Sequence, residues 1–307
     1  MDERRWEILG VPFDFGSECE GTGQAPEAIR AAGLSRLVEH LCSLGFEVAD
    51  RGDIALPERV DGGCRPQGLE EMKVFAPALA SRLGAMLFGG STPIVLGGDH
   101  SITIASAAAV HGNLRAQGID PPSVGVLWID AHPDFETPGP HGTDALNAMP
   151  VTHLLGGDVG GLREIPALGS TIDPENLVFV GLRDVLPEER RAIRGLGIRA
   201  FSATDVDRIG IAEICREALA RVSERTDAVI LTFDIDVLDP TIAPGVDYPQ
   251  PGGLSLREGM LIMEQIHALE KLALVELVEV NPTKDREGMT ARSASRLLHR
   301  LIAGPVI

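Results

Sequence analysis

The sequence predicts an α/β fold in which helices cover both faces of a central, mainly parallel sheet. The first observation is a set of short, nearly continuous apolar runs, clearest at 94–96, 124–129 and 228–233. Such runs are typical of strands that are buried on both faces of a parallel sheet. The second is that helical patterns separate the runs throughout the 307 residues, without a linker-like break. With 44% hydrophobic residues, residues 1–307 can bury a large core, so we expect one three-layer α/β/α domain.

The first half of the chain starts with a predicted strand at 8–11, a Gly-rich loop at 16–23 and a helix whose first turn holds Pro26. Residues 69–87 read as a helix, and the strand at 94–96 leads into a helix over about 101–110 that Ser101 caps. After the strand ending at Ile129, a Pro- and Gly-rich loop extends from 135 to 150. Loops of this length often shape substrate pockets.

The second half continues the alternation. Strands are predicted at 177–180, 198–201, 228–233 and 274–280, and helices near 188–194, 205–222, 256–269 and up to about 302. A second long loop, from 239 to 253, follows the strand that ends at Phe233.

Carboxylates and imidazoles follow three of the apolar runs. Because ligands bind outside the carboxyl ends of the strands in open parallel sheets, we expect these side chains to share one edge. They supply two imidazoles and four carboxylates, from His100, Asp130, His132, Asp134, Asp234 and Asp236. Four negative charges match two divalent cations, and a mixed oxygen and nitrogen shell suits Mn²⁺ better than a metal that selects thiolates. The sequence therefore predicts two Mn²⁺ per chain and metal-assisted hydrolysis.

A plainer interpretation is that these aspartates only end strands as turn and capping residues. Uncompensated carboxylates gathered at one sheet edge would repel one another, so three clusters together favour the metal site.

Composition excludes other classes of function. The formal net charge is −18, and the chain has no cluster of basic residues, which opposes binding to nucleic acid. No apolar stretch approaches the ~20 residues that cross a bilayer, so no membrane partner is expected. The N-terminus lacks an apolar signal segment and the cysteines form no Cys-x-x-Cys pair, which predicts a cytoplasmic protein with reduced thiols at Cys19, Cys42, Cys64 and Cys215.

Four motifs resemble those of the arginase/agmatinase, or ureohydrolase, family of dinuclear manganese enzymes. They are Gly97-Gly98-Asp99-His100-Ser101, Asp130-Ala131-His132-Pro133-Asp134, Phe233-Asp234-Ile235-Asp236-Val237-Leu238-Asp239-Pro240 and Val278-Glu279-Val280-Asn281-Pro282. The similarity covers nearly the whole chain, and segments 181–185, 204–210 and 252–259 are similar to arginases rather than agmatinases. The resemblance implies an arginase-like fold, release of urea from a small guanidino substrate, and a homotrimer or homohexamer.

The resemblance also implies roles for individual residues. One manganese would be bound by His100, Asp130, Asp134 and Asp234, and the other by Asp130, His132, Asp234 and Asp236. Asp134 would in addition orient the metal hydroxide. Glu279 would accept hydrogen bonds from the guanidinium whose carbon is attacked.

The loop after Asp130 departs from the arginase pattern. Glu136, Thr143 and Ala145 replace the Asn, Ser and Asn that hold the α-carboxylate of arginine in the family. Leu186 replaces the Asp that recognises the α-amino group. The set of residues that recognises arginine is therefore largely absent.

Further departures concern the chemistry. Asn147 stands where arginases carry the histidine thought to shuttle protons, and Asp247-Tyr248 replace a Gly-Thr pair beside the substrate. His141 lies in a His-Gly-Thr segment that resembles the agmatinase loop, and is the candidate proton shuttle. His153 lies in an apolar helical stretch and is expected in the core.

Glu136, Asp144 and Asp247 add acidic groups to the expected pocket mouth, which favours an agmatine-like substrate with a cationic tail. The alternatives are that these acids are solvated, and that Tyr248 packs within its loop instead of forming a pocket wall. We thus expect a dinuclear manganese hydrolase that cleaves a guanidino C–N bond. The alternatives are a formiminoglutamase-like hydrolase of amidines or imines, and a metal-binding homologue with impaired catalysis.

Overall fold

The computed structural model describes residues 4–60, 66–139 and 142–305. Within these ranges, eight strands form one sheet in which every pair is parallel, with the order β2-β1-β3-β8-β7-β4-β5-β6. The strands are β1 (Arg5–Val11), β2 (Val48–Asp53), β3 (Ser91–Gly97), β4 (Val124–Ile129), β5 (Leu177–Leu182), β6 (Arg199–Ser202), β7 (Ala228–Asp234) and β8 (Leu272–Val278). This sheet confirms the predicted fold class.

Helices pack on both faces of the sheet. The helices are α1 (Ala25–Ile29), α2 (Ser35–Ser43), α3 (Leu69–Phe88), α4 (Thr103–Ala116), α5 (Pro150–Leu154), α6 (Pro187–Gly195), α7 (Ala203–Ile209), α8 (Ile211–Glu224), α9 (Leu256–His267) and α10 (Met289–Ala303). Alternate residues of a strand enter opposite cores: Trp6 and Ile8 of β1 enter the core to which α1, α2 and α7 to α10 contribute, whereas Leu9 and Val11 enter the core of α3 to α6. Both faces of the sheet are therefore covered, as its apolar strands require.

Three local features differ from the expectations. Strand β2 was not predicted, because only Val48 of this edge strand is buried and its other residues are polar or small. The helix expected over 205–222 is two helices, since Gly210 between them adopts a φ of 87°. Asp99, rather than Ser101, acts as the cap: its carboxylate accepts a hydrogen bond from the Ser101 N–H at 3.0 Å.

The described residues include no helix that combines the length and the apolar character needed to cross a membrane. Cys19, Cys42 and Cys215 are free thiols, and Cys64 lies outside the described residues.

Candidate active site

The register of four neighbouring strands aligns the ends that carry the predicted ligands. Leu96 of β3 lies opposite Leu277 of β8, Leu277 opposite Phe233 of β7, and Phe233 opposite Ile129 of β4. All four strands end within one residue of this row, and after β3 the residues Gly98 and Asp99 precede the predicted ligand His100. His100, Asp130, Asp234 and Glu279 therefore meet at one edge of the sheet, although they come from distant parts of the chain.

His100 is the centre of a first group of ligands. Its Nδ1 lies 2.9 Å from Asp134 Oδ2, 3.2 Å from Asp130 Oδ2 and 3.3 Å from Asp234 Oδ2, and all four side chains are largely or fully buried. Among the described residues this Nδ1 makes no hydrogen bond. An imidazole nitrogen that faces three carboxylates without a hydrogen bond is what a cation held between them would produce. The donor set fits a divalent metal.

His132 is the centre of a second group. Its Nδ1 lies 2.9 Å from Asp236 Oδ2 and 3.6 Å from Asp130 Oδ1. Asp130 is thus shared by the groups His100-Asp130-Asp234 and Asp130-His132-Asp236, in each of which the ligand atoms lie within 4.8 Å of one another. The geometry places Asp234 in the first of these groups only.

Burial and mutual repulsion disturb the ionisation of these acids. Burial raises the pKa of Asp134 to about 6, and it raises the pKa of Asp234 well above the ordinary value, with neighbouring carboxylates adding to both effects. Asp130 differs: burial opposes its ionisation, but its two histidine neighbours lower its pKa below the ordinary value. Two divalent cations would compensate the repulsion and keep all four acids ionised.

Polar groups behind the ligands fix their orientation. Trp128 donates from Nε1 to Asp130 Oδ2 at 2.9 Å and stacks on the His100 ring at 4.2 Å. His100 Nε2 contacts Thr232 Oγ1 at 2.8 Å, and Thr232 in turn neighbours the buried carboxylate of Glu276, which accepts a hydrogen bond from Thr103 Oγ1 at 2.7 Å. Outer contacts of this kind set the orientation of a metal-binding histidine. The predicted site did not include these residues, although a polar residue inside an apolar strand is a signal that the sequence contains.

Two acids at the site have strained backbones. Asp134 has a φ of 45° and Glu279 a φ of 63°, in the left-handed region that non-glycine residues seldom occupy. The Glu279 N–H donates to Gly98 O at 2.9 Å, and Gly98 itself packs so closely that a Cβ there would lie 1.9 Å from Phe13 O. Such strain persists where the surroundings impose it, often at functional sites.

The Glu279 carboxylate is anchored on one side only. Its Oε1 accepts hydrogen bonds from the His100 N–H at 2.8 Å and from Asn147 Nδ2 at 3.1 Å. In the described part of the chain its buried Oε2 has no partner. Burial raises the pKa of Glu279 well above its ordinary value.

A cavity of about 310 Å³ opens above the metal ligands. It is lined by the predicted metal ligands His132, Asp134, Asp234 and Asp236, by Glu279, and by the predicted substrate-binding residues Glu136, Thr143, Asn147, Asp247 and Tyr248. The lining also contains Glu18, Asp184 and Glu189, which sequence reasoning missed. Asp144 is not part of the lining, and His141 lies outside the described residues.

Comparison with known proteins identifies the family. The model of the Arginase family matches residues 4–304. The chain belongs to this family. An arginase from Brevibacillus brevis is 37% identical over 293 residues, covering 95% of each chain.

Solved structures support this arginase-family assignment. An arginase from Bacillus caldovelox superposes with a TM-score of 0.88 at 34% identity, covering 99% of this chain and all of the other. An agmatine ureohydrolase from Thermoplasma volcanium has a TM-score of 0.72 at 26% identity, with 98% and 89% covered. These findings confirm the predicted family and show that the chain is a hydrolase of the arginase type.

Residues that depart from the arginase pattern surround the cavity. Tyr248 forms part of the wall, with its ring edge toward His132 at a centroid distance of 6.4 Å. Burial raises the Tyr248 pKa to about 12, so its phenol stays neutral in the physiological range. Asp247 is buried and its Oδ1 pairs with Lys284 Nζ at 2.8 Å. The negative charge expected from Asp247 at the pocket mouth is therefore balanced, and Glu136 and Glu18 supply the acidic rim.

His153 has the structural role expected of it. It is 1% exposed, and its Nε2 contacts Leu168 O at 2.8 Å, away from the cavity.

Proposed function

We propose that this arginase-family protein is a dinuclear manganese hydrolase that releases urea from a small guanidine with a cationic or neutral tail. The observation that carries the proposal is the composition of the cavity. Apart from the proposed metal ligands, the lining contains six acidic side chains, of which Asp247 is paired with Lys284, and the described residues that line it include neither Arg nor Lys. A carboxylate on the substrate tail would find no basic side chain among these residues, whereas a second positive charge would be favoured.

His100, Asp130, Asp134 and Asp234 would hold one Mn²⁺. Asp130, His132 and Asp236 would hold the other, and the family resemblance adds Asp234 as a second shared ligand. The bound metals would supply a water of lowered pKa as the nucleophile. The free Oε2 of Glu279 accepts an N–H of the guanidinium and orients its carbon toward the metal edge. The carboxylate of Asp134, beside His100, accepts the proton that the nucleophilic water loses. The departing amine in turn must gain one proton.

The leaving group requires a proton donor other than Asn147, because an amide does not titrate near neutral pH. In the structure the Asn147 side chain donates to Glu279, which makes it a binding residue in our proposal. His141 remains our proposed proton donor, and Glu136, Thr143 and Tyr248 would contact the substrate tail.

The experiment is a panel of arginine, agmatine, 4-guanidinobutyrate and butylguanidine assayed for urea and ammonia with saturating Mn²⁺. We expect kcat/KM for agmatine or butylguanidine to exceed that for arginine by at least about 10-fold, since unpaired charged groups weaken transition-state binding. The inactive control is Glu279→Gln. Arginine as the best substrate would contradict the proposed specificity, and no product from any compound would contradict the proposed activity.

We also propose a homotrimer or homohexamer, which the family resemblance supports, and a cytoplasmic location. Light scattering of the purified protein measures the first of these properties.

A further inference from the structure

A second cavity, of about 380 Å³, adjoins the one above the proposed metal ligands, and we call it the side cavity. Glu136, Leu186 and Glu189 line both cavities, so the two meet along these residues. Ala192 in α6 and Leu196 directly after it line the side cavity but not the first one. A ligand that fills the first cavity therefore borders the side cavity, which the proposed chemistry does not use.

Apolar atoms contribute most of the surface of the side cavity. Its apolar residues are Phe135, Leu155, Leu186, Ala192 and Leu196. Leu186 is 44% exposed and Leu196 is 46% exposed, so they are two of the eight large apolar side chains that are exposed in the described part of the chain. Single exposed leucines are ordinary, but two in one concave surface favour a ligand that removes both from water. The exposure of Leu186 also means that the boundary between the two cavities is open at the surface.

Two of the three acids in the side cavity are occupied by other partners. Glu188 forms an ion pair with Arg191 at 2.6 Å, and the buried carboxylate of Glu189 accepts hydrogen bonds from two backbone N–H groups. The third acid, Glu136, lies on the boundary with the first cavity. The part of the side cavity beside Leu196 therefore offers apolar contacts to a ligand, and a charged group placed there would lose its water without a matching partner.

We infer that the side cavity is a subsite for an apolar substrate tail, which favours guanidines whose unbranched alkyl tail is longer than that of butylguanidine. This inference rests on the proposed function and narrows its substrate class. The guanidinium binds beside Glu279, and the tail crosses Leu186 and ends against Leu196. The tail removes apolar surface of the protein and of the ligand from water, so affinity rises with tail length until the side cavity is filled.

Calorimetric titration of the manganese-loaded protein with butyl-, hexyl- and octylguanidinium chloride tests the inference. Each methylene that leaves water strengthens binding by about 4-fold, so we expect octylguanidinium to bind at least about 10-fold more tightly than butylguanidinium, at one molecule per chain. Octylammonium chloride, which has the same tail and charge, should bind at least about 10-fold more weakly than octylguanidinium because it lacks the paired N–H donors. Equal dissociation constants for butyl- and octylguanidinium would overturn the inference alone, whereas no binding of any guanidinium would contradict the proposed function as well.

Leu196→Gln is the sharpest variant, because Leu196 lines the side cavity alone. A polar amide against the tail should weaken octylguanidinium binding by at least about 4-fold, the effect of one methylene, and leave butylguanidinium binding unchanged. Leu44→Gln is the matched control. Both leucines follow the last residue of a helix, with φ of −89° at Leu196 and −91° at Leu44, and they are 46% and 56% exposed. The control should bind both cations like the wild type.

A second variant covers the case in which Leu196→Gln does not fold, as judged by its melting temperature. Ala192→Gln places a larger and polar side chain in the side cavity, and glutamine is compatible with the helical position of Ala192. We again expect octylguanidinium binding to weaken by at least about 4-fold at unchanged butylguanidinium binding. A folded Leu196→Gln or Ala192→Gln protein that keeps the wild-type ratio of the two dissociation constants would show that the tail does not enter the side cavity.

Discussion

At the scale of single residues, Asp130 joins the two halves of the metal site. One of its carboxylate oxygens faces His100 and the other faces His132. Trp128 holds the same carboxylate from behind. We therefore expect this single side chain to decide whether both of the proposed metals bind.

Asp130→Asn should lower manganese affinity by more than about 100-fold, because one charged ligand is lost from both sites. Loss of a group that only supports a ligand typically costs about 10- to 100-fold, so the loss of a shared ligand should exceed that range. The metal content measured after dialysis should fall from two ions per chain to at most one. Asp184→Asn is the control, since Asp184 lies 3.7 Å from His132 Nε2 but belongs to neither ligand group. A mutant that still binds two ions with wild-type affinity would contradict the shared role.

His141→Ala should lower kcat by about 100-fold or more, because general acid catalysis contributes at least that factor. Metal content should not change. His40→Ala, at an exposed position of α2, is the matched control. Wild-type kcat in the His141→Ala enzyme would show that solvent or another group protonates the leaving amine.

The candidate metal ligands could be predicted from the sequence because each lies at, or within five residues of, the carboxyl end of β3, β4 or β7, so the strand ends bring them to one edge. Thr232 and Glu276 could not, since their role depends on which strands become neighbours, and β8 lies between β3 and β7 only in the folded sheet. The charge balance of Asp247 was also hidden, because Lys284 lies 37 positions away in the chain and meets it only through the packing of two loops.

At the scale of elements, helix α6 and the loop after β4 are connected by Glu189. Its carboxylate accepts from the Leu186 N–H at 2.9 Å, at the start of the helix, and from the Phe135 N–H at 3.1 Å, next to the proposed metal ligand Asp134. Burial raises the pKa of Glu189 to about 7. The connection is thus sensitive to pH in the neutral range.

The sign of this dependence follows from linkage. The folded-state pKa of about 7 exceeds the ordinary 4.5, so the folded protein binds the proton more tightly than the unfolded chain. The difference in the free energy of unfolding, wild type minus Glu189→Gln, should therefore decrease as pH rises from 4.5 to about 7. Above about pH 7 this difference should stay constant. Urea denaturation of the two proteins at several pH values measures it. Parallel curves for wild type and mutant across this range would contradict the assignment.

At the scale of the whole molecule, the net charge of −18 and the acidic cavity both attract a cationic substrate. Long-range attraction of this kind is screened by salt.

Raising NaCl from about 0.02 to about 0.5 M should raise KM for agmatine by about 3-fold or more, because attraction of the dication is screened. KM for 4-guanidinobutyrate, whose net charge is near zero, should change less and is the internal control. Equal changes for both compounds would mean that salt acts on the protein and not on the encounter with substrate.

The order of the central strands also has a consequence for biosynthesis. The row of residues at the metal edge belongs to β3, β8, β7 and β4, so the last contributor, Glu279, leaves the ribosome only after more than nine-tenths of the chain has been made. Contacts between such distant segments form slowly. Strand β8 lies between β3 and β7, so His100 and Asp234 cannot be brought together in the sheet before β8 has been made. We therefore expect the two ligand groups, and the site for any metal they bind, to be completed only when nearly the whole chain has folded.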